Sequence, residues 1–278
     1  MAATRAAVLG SPIAHSLSPA LHCAAYRELG LADWSYQAID CDEQGLAGLL
    51  GMLGPDWAGL SLTMPLKRAV LPLLDWADPL VSEVGAANTV VLRGGRRLGF
   101  NTDVGGIVTA LRQAGASTKG NVVVLGGGAT ACSAVAALRE TGANQVAVAV
   151  RELARAQPLL EVARRLGVSV ELTGLGADLQ REPWQLLIST IPAAAAQQVA
   201  GWLATGTVTA ETVFDVVYEP WPTPLAQAAT QAGKTLISGY EMLVYQAAGQ
   251  VSLMTGRPAP VAVMHAAGLA ELARRQTR

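Results

Sequence analysis

Residues 122–131, VVVLGGGATA, most strongly restrict what this chain can fold into. An uninterrupted apolar run leads directly into three glycines, and the small-residue segment ACSAVAAL follows. Apolar runs without polar alternation are typical of parallel strands that are buried on both faces. The segment therefore predicts a buried strand, a tight turn and a helix, which together begin a βαβ unit of a parallel sheet.

Within this turn, Gly126, Gly128 and Ala131 match the spacing G-x-G-x-x-A. The first glycine permits the turn, the second allows a pyrophosphate to approach closely, and the small third residue lets helix and strand pack together. A phosphate would then lie at the helix N-terminus. A glycine turn in a buried sheet can have the same spacing without binding anything, but the flanking strand and helix favour a dinucleotide site.

The residues after the next predicted strand indicate which dinucleotide is bound. Val150 is followed by Arg151, and Arg155 lies one helical turn further on. Guanidinium groups suit the 2′-phosphate of NADP because they combine a permanent charge with paired donors. Glu152 supports the alternative, since a carboxylate can accept a hydrogen bond from the ribose of NAD, and arginines are also ordinary surface residues. We predict NADP.

The alternation of predicted elements indicates an α/β protein with mostly parallel sheets. In the first half, strands are predicted at 5–10, 34–40 and 58–64, and helices at 18–30 and 43–53. A second alternation opens with a helix over 104–114 and continues with strands at 144–150, 186–190 and 212–217 and a helix over 151–167. The restart near Asp103 predicts a domain boundary at that point.

Composition excludes several classes of protein. The 278 residues carry a formal charge of -1 and no basic run, so a nucleic-acid partner is not expected. Two long uncharged stretches, 120–138 and 183–210, contain glycine, proline or amide residues and are predicted to be buried core rather than membrane spans. The three cysteines, Cys23, Cys41 and Cys132, are widely separated. This spacing suggests neither disulfides nor a zinc site and is typical of a cytoplasmic protein.

Small polar residues gather where the first-half strands end. They are Ser16, Ser18, Ser61, Thr63, Asn88 and Asn101–Asp103. In a parallel sheet, ligands bind outside the carboxyl ends of the strands, where hydroxyl and amide groups suit a polyhydroxylated substrate. Each residue also has a local explanation: Ser18 and Thr63 can cap helices, and Asn88 can stabilise a turn.

Lys67 lies in SLTMPLK, an otherwise apolar stretch of a chain with few charges. The ordinary interpretation is a surface lysine whose stem is buried and whose ammonium is in water. A catalytic interpretation depends on the other motifs.

Taken together, these motifs resemble the shikimate dehydrogenase family. GSPIAHSLSP, LTMPLK, GAANTV, NTDVGG, the glycine turn and YEMLVYQAA occur in that family's order and approximate spacing over nearly the whole chain. The resemblance implies a substrate domain at 1–103, a Rossmann-type NADP-binding domain at 104–237, and C-terminal helices at 238–278 that return to the first domain. It also implies the reversible NADPH-dependent reduction of 3-dehydroshikimate to shikimate in aromatic biosynthesis.

The resemblance also assigns residues to roles. It implies that Lys67 and Asp103 are the catalytic pair. The substrate-binding positions would be Ser16, Ser18, Ser61, Thr63, Asn88, Tyr218 and Gln246. The cofactor-binding positions would be Gly126, Gly127, Gly128, Ala129, Ala131, Arg151, Arg155, Thr190, Val216 and Gly239. No metal is expected.

Three positions depart from the family pattern. Many members have Asn where this chain has Ser61, Asn before the arginine where it has Val150, and Gly where it has Glu241. These changes affect a substrate hydrogen bond, a polar cofactor contact and the backbone near the nicotinamide, respectively.

Other functions stay open at this level. A quinate/shikimate dehydrogenase using NAD and an aminoshikimate-pathway enzyme belong to the same family, and a non-catalytic NADP sensor would keep only the fold. Ser16, Ser18 and the arginines favour the NADP-dependent, shikimate-selective form. His15 is expected to face solvent, and the chain to be a monomer or homodimer.

Overall fold

The computed structural model describes residues 4–180 and 183–277, except for the side chains of Arg155 and Ala177. The chain forms two compact units. The first extends to Thr102 and resumes at Val244, and the second comprises Asp103–Leu243. The domain limits expected from the sequence, 1–103, 104–237 and 238–278, stay a prediction beside these units.

The first unit is built on a six-stranded sheet of order β2-β1-β3-β5-β6-β4. Strand β1 is parallel to β2 and β3, β6 is parallel to β4, and β5 is antiparallel to both of its neighbours. Its strands are β1 (Thr4–Gly10), β2 (Trp34–Asp40), β3 (Trp57–Leu62), β4 (Trp76–Ala77), β5 (Thr89–Arg93) and β6 (Arg96–Phe100). Its first helices are α1 (Ser18–Glu28), α2 (Glu43–Gly51), α3 (Leu66–Ala69) and α4 (Pro79–Val84).

The second unit contains a fully parallel six-stranded sheet of order β12-β11-β10-β7-β8-β9. Read from β7 outward, this is the doubly wound arrangement of dinucleotide-binding folds. Its strands are β7 (Val122–Leu125), β8 (Gln145–Val150), β9 (Ser169–Gly174), β10 (Trp184–Ser189), β11 (Ala210–Asp215) and β12 (Thr235–Ser238). Its helices are α5 (Asp103–Gln113), α6 (Ala129–Glu140), α7 (Gln157–Leu166), α8 (Gln197–Ala204) and α9 (Pro224–Gln231). The α/β class is thus confirmed.

Helix α10 (Gly239–Thr255) begins in the second unit and continues in the first, and α11 (Val261–Gln276) packs against α1 in the first unit. The approach of α10 to β3 depends on Gly59, because a Cβ there would lie 2.7 Å from the Val90 carbonyl oxygen and 3.0 Å from Met254 Cγ. Met254 joins Tyr26 and Tyr36 in one apolar cluster. The C-terminal helix residues are therefore part of the first unit's core.

Two local predictions were wrong. The predicted helix over 151–167 begins only at Gln157, after a 3₁₀ turn over Leu153–Ala156, because Pro158 occupies the first helical turn. Neither Ser18 nor Thr63 caps a helix through its side chain: Ser18 is already the first residue of α1, and Pro65 precedes α3.

In the described residues, no helix is both long and apolar enough to cross a bilayer.

Candidate active site

In the first unit, the loops that follow β1 and β3 are hydrogen-bonded to each other. The Ser11 amide donates to the Met64 carbonyl at 3.0 Å, and the Thr63 amide donates to the Leu9 carbonyl at 2.9 Å. The Leu62 amide donates to the Asn88 carbonyl at 2.7 Å. These bonds bring the predicted serine, threonine and asparagine positions to one edge of the sheet, where parallel strands place ligand sites.

Asn88 makes several side-chain hydrogen bonds at this edge, and it is 1% exposed. Its Nδ2 donates to Thr102 Oγ1 at 2.9 Å and to Gln246 Oε1 at 3.2 Å, while its Oδ1 accepts the Thr102 amide at 2.8 Å. Because a buried amide has few alternative partners, these bonds fix its orientation. The structure thus brings Asn88 and Gln246, two predicted substrate positions, into direct contact.

Ser61 lies in a second buried chain of hydrogen bonds. Its hydroxyl accepts from the Tyr36 hydroxyl at 2.6 Å and donates to Gln250 Oε1 at 2.8 Å. The Gln250 Nε2 in turn donates to the Asn88 carbonyl and to Thr89 Oγ1, both at 3.2 Å. Burial raises the pKa of the Tyr36 phenol, so this group acts as a donor at neutral pH. The predicted substrate role of Ser61 stays a prediction beside these contacts.

The loop that carries the predicted serines, residues 11–18, is called the serine loop here, and it ends at the start of α1. Ser16 Oγ accepts the Ser18 amide at 3.3 Å, and the Ser16 amide donates to the Ile13 carbonyl at 3.0 Å. Ser18 is buried and Ser16 is half-buried, while His15 is exposed as expected. The structure therefore places Ser16 and Ser18 in one compact turn.

The two predicted catalytic residues belong to different units. Lys67 is half-buried in α3, and its carbonyl accepts the Ala87 amide at 2.8 Å, next to Asn88. Asp103 is 3% exposed and is the first residue of α5 in the second unit. Their joint role stays a prediction.

In the second unit, the glycine turn has the backbone that its sequence requires. Gly126 has a φ of +112°, a conformation that residues with a Cβ rarely adopt, and a Cβ there would lie 2.6 Å from Thr190 Oγ1. Thr190, which directly follows β10, donates through Oγ1 to the Leu125 carbonyl at 2.7 Å. This bond fixes the end of β10 against the glycine turn. A Cβ at Gly128 would meet open space, so the turn presents its backbone outward.

This backbone fits the phosphates of a dinucleotide. Helix α6 begins at Ala129 with Gly128 at its N-cap, and no described side chain caps it. The first backbone amides of such a helix suit an anionic group. Ala131 is fully buried, as close helix–strand packing requires. A cavity of about 270 Å³ opens here, lined by Gly126–Gly128, Val150–Glu152, Leu175, Ile191, Pro192 and Ala195.

Arg151 is exposed at the rim of this cavity together with Glu152. Both residues that could contact the ribose end of the cofactor therefore line the cavity. Arg155 lies in the 3₁₀ turn, and its side chain is outside the described part of the structure.

The segment after β11 carries two further predicted positions, Val216 and Tyr218, and a third, Gly239, follows β12. Val216 donates its amide to the Ser189 carbonyl at 3.0 Å, and Tyr218 follows it, half-buried. Asp215 anchors this segment, because its carboxylate accepts the Thr223 hydroxyl at 2.6 Å and the Val217 amide at 3.2 Å. Burial raises the Asp215 pKa against the opposing effect of these hydrogen bonds. Gly239 approaches so closely that a Cβ would overlap the Val216 backbone.

Tyr36, Gln250 and Asp215 were not predicted from the sequence. Gln250 follows Gln246 by one helical turn on α10, so the i, i+4 spacing could have placed both amides on one face. Tyr36 gave no such signal, because its partner Ser61 belongs to a different strand. The described residues contain no cluster of three or more side chains able to bind a metal ion.

Two family models match the chain. One, described as "Shikimate dehydrogenase substrate binding domain", matches residues 8–90, and the other, "Shikimate 5'-dehydrogenase C-terminal domain", matches residues 239–267. Among curated proteins, the shikimate dehydrogenase (NADP(+)) of Methanopyrus kandleri is 38% identical over 277 residues, which cover 95% of this chain and 94% of that protein.

Solved structures give the same result. The shikimate dehydrogenase of Mycobacterium tuberculosis superposes with a TM-score of 0.86 at 42% identity, covering 96% of this chain and 99% of that one. A Thermus thermophilus shikimate 5-dehydrogenase, solved in complex with NADP(H) and shikimate, superposes with a TM-score of 0.81 at 34% identity, covering 96% and 99% of the two chains.

Proposed function

Because the chain belongs to the shikimate dehydrogenase family, we propose that it catalyses the reversible NADPH-dependent reduction of 3-dehydroshikimate to shikimate. The observation that carries this proposal is the hydrogen-bonded array of Asn88, Thr102 and Gln246, which lies in the unit that contains the matched residues 8–90. The Thermus thermophilus relative, whose structure contains NADP(H) and shikimate, supports the same pair of ligands.

The first-unit polar groups suit a small polyhydroxylated ligand. Serine and threonine hydroxyls both donate and accept hydrogen bonds, and an amide donates through nitrogen and accepts through oxygen. Ligand hydroxyls need this mixture, and a site that leaves such groups unpaired rejects analogues that lack them. We assign the substrate to Ser16, Ser18, Ser61, Thr63, Asn88 and Gln246 of this unit, and also to Tyr218 of the second unit.

The glycine turn and Arg151 would hold NADP. Backbone amides at the start of α6 would bind the pyrophosphate, and the Arg151 guanidinium would pair with the 2′-phosphate. When bound, the nicotinamide supplies the hydride chemistry. Val216 and Gly239, which are in close backbone contact, are assigned to the nicotinamide end, and Thr190 to the turn itself.

Lys67 is assigned as the acid and base of the reaction. In the reducing direction its ammonium donates a hydrogen bond to the ketone oxygen, stabilises the negative charge that develops there, and gives up the proton. In the oxidising direction the neutral amine takes the hydroxyl proton. Asp103 is assigned as the carboxylate that orients Lys67.

The alternatives are an NAD-dependent quinate/shikimate dehydrogenase and a protein that binds NADP without turnover. The curated relative named for NADP(+) does not favour the first, and retention of Lys67 and Asp103 does not favour the second. We assign the chain as a cytoplasmic monomer or homodimer with only small-molecule ligands.

The test is the oxidation rate of shikimate and of quinate, each with NADP and with NAD, followed by the absorbance of the reduced nicotinamide. The proposal expects shikimate with NADP to give the highest kcat/KM. A preference for quinate or NAD would replace it by the first alternative, and binding of NADPH without turnover by the second.

A further inference from the structure

The last turn of α11 reaches the serine loop of the first unit. The Arg275 guanidinium donates to the His15 carbonyl through one terminal nitrogen at 2.9 Å and to the Ser16 carbonyl through the other at 3.0 Å. These two carbonyls belong to consecutive residues of the turn that ends at Ser18. A side chain near the C-terminus thus fixes the backbone of a loop near the N-terminus.

The guanidinium is itself held in place. Its Nε donates to Glu271 Oε1 at 2.9 Å, one helical turn earlier on α11, and the Arg275 side chain is 22% exposed. Hydrogen bonds from Arg274 and Arg275 hold the pKa of the Glu271 carboxyl at about 2, so this anchor is ionised at neutral pH. All three guanidinium nitrogens therefore have partners in one fixed fork, which a lysine cannot reproduce.

Arg274 provides a matched comparison within the same helix. It makes two hydrogen bonds to Glu271, at 2.7 and 2.6 Å, and its side chain is 50% exposed. It shares the charge, the helix and the anchor of Arg275, while the bonds to the His15 and Ser16 carbonyls belong to Arg275.

We propose that Arg275 is a positioning residue of the substrate site, because its bonds to His15 and Ser16 hold the Ser16 and Ser18 hydroxyls in their binding positions. The inference rests on the proposed function for the identity of the substrate. The two contacted carbonyls belong to exposed His15 and half-buried Ser16. Because water reaches these carbonyls, it replaces the guanidinium when the arginine is removed. The fold is kept, and the loop loses its fixed position.

The test compares Arg275→Ala, Arg274→Ala and Arg275→Lys in the full chain. For Arg275→Ala, we expect the KM for shikimate to rise about tenfold, the scale of a lost charged hydrogen bond, with kcat and the KM for NADP nearly unchanged. Arg274→Ala is expected to match the wild type. Arg275→Lys restores the charge without the fork and is expected to fall between the two.

Amide hydrogen exchange of residues 11–18 provides a second measurement that does not depend on turnover. Faster exchange in Arg275→Ala than in Arg274→Ala supports the positioning role. An unchanged KM for shikimate in Arg275→Ala overturns the inference, as does an equal rise in both alanine variants. If the wild-type chain does not oxidise shikimate, the proposed function fails, and the exchange rates alone decide whether Arg275 holds the loop.

Discussion

His22 offers a prediction whose magnitude follows from the structure. The ring is fully buried, stacks on Tyr36 with centroids 3.9 Å apart and planes at 17°, and bonds through Nδ1 to the Ser18 carbonyl at 2.9 Å. Its Nε2 has no partner among the described residues. Protonation would place a charge at this buried nitrogen, so burial lowers the pKa of His22 from 6.5 to about 4.

This shift makes stability depend on pH in a defined direction. The unfolded chain binds the proton below a pKa of 6.5, whereas the folded chain binds it only near pH 4. The stability that His22 contributes is therefore fully present above pH 6.5 and is lost as pH falls from there towards 4. The loss amounts to about 2 kcal/mol at pH 5, and to about 3 kcal/mol once both states are protonated.

The perturbation is His22→Phe, which keeps an aromatic ring against Tyr36 and removes the titrating nitrogens. The free energy of unfolding is measured by urea denaturation between pH 7 and pH 5 for both proteins. We expect the wild type to lose about 2 kcal/mol more than the variant over this range. The chain has only three histidines, so the His22 resonance can be titrated directly by NMR. Equal pH slopes in the two proteins, or a His22 pKa near 6.5, would refute the reasoning.

Three further predictions concern the assigned site. Lys67→Ala is expected to lower kcat at least about a hundredfold with a modest change in KM, since it removes both the acid and the charge stabiliser; near wild-type turnover would contradict its role. Arg151→Ala is expected to raise the KM for NADP about tenfold and to leave the KM for NAD unchanged. The control is Arg164→Ala, which changes an exposed arginine on α7. Equal effects on both cofactors would contradict the 2′-phosphate contact. Gly239→Ala is expected to lower the free energy of unfolding by about 1–3 kcal/mol, because the new Cβ overlaps the Val216 backbone. The control is Gly201→Ala on α8, where a new Cβ meets open space. Equal stability of the two variants would contradict the close approach of Gly239 to Val216.

The sequence was sufficient where structure depends on neighbouring residues. The strand Val122–Leu125, the turn and helix Ala129–Glu140 were predicted together, because apolar run, glycines and small residues are adjacent. The family was also predicted, and the relatives confirm it. The start of the predicted helix over 151–167 was wrong, because Pro158 fixes where α7 begins.

The buried contacts of the site could not be predicted in the same way. Ser61 and Gln250 are 189 residues apart, and Arg275 and Ser16 are 259 apart. No local pattern encodes which polar side chains meet after folding, since strand order and helix packing decide it. Ser61 is an example. The sequence predicts only a ligand position, whereas in the structure the Ser61 hydroxyl is hydrogen-bonded to both Tyr36 and Gln250.

The central claim is tested most directly by incubating the purified chain with 3-dehydroshikimate and NADPH and measuring nicotinamide oxidation and shikimate formation together. The account predicts one shikimate formed for each NADPH consumed, and a rate that falls at least about a hundredfold in Lys67→Ala. Absence of NADPH consumption in the wild type, or consumption without shikimate, would contradict it.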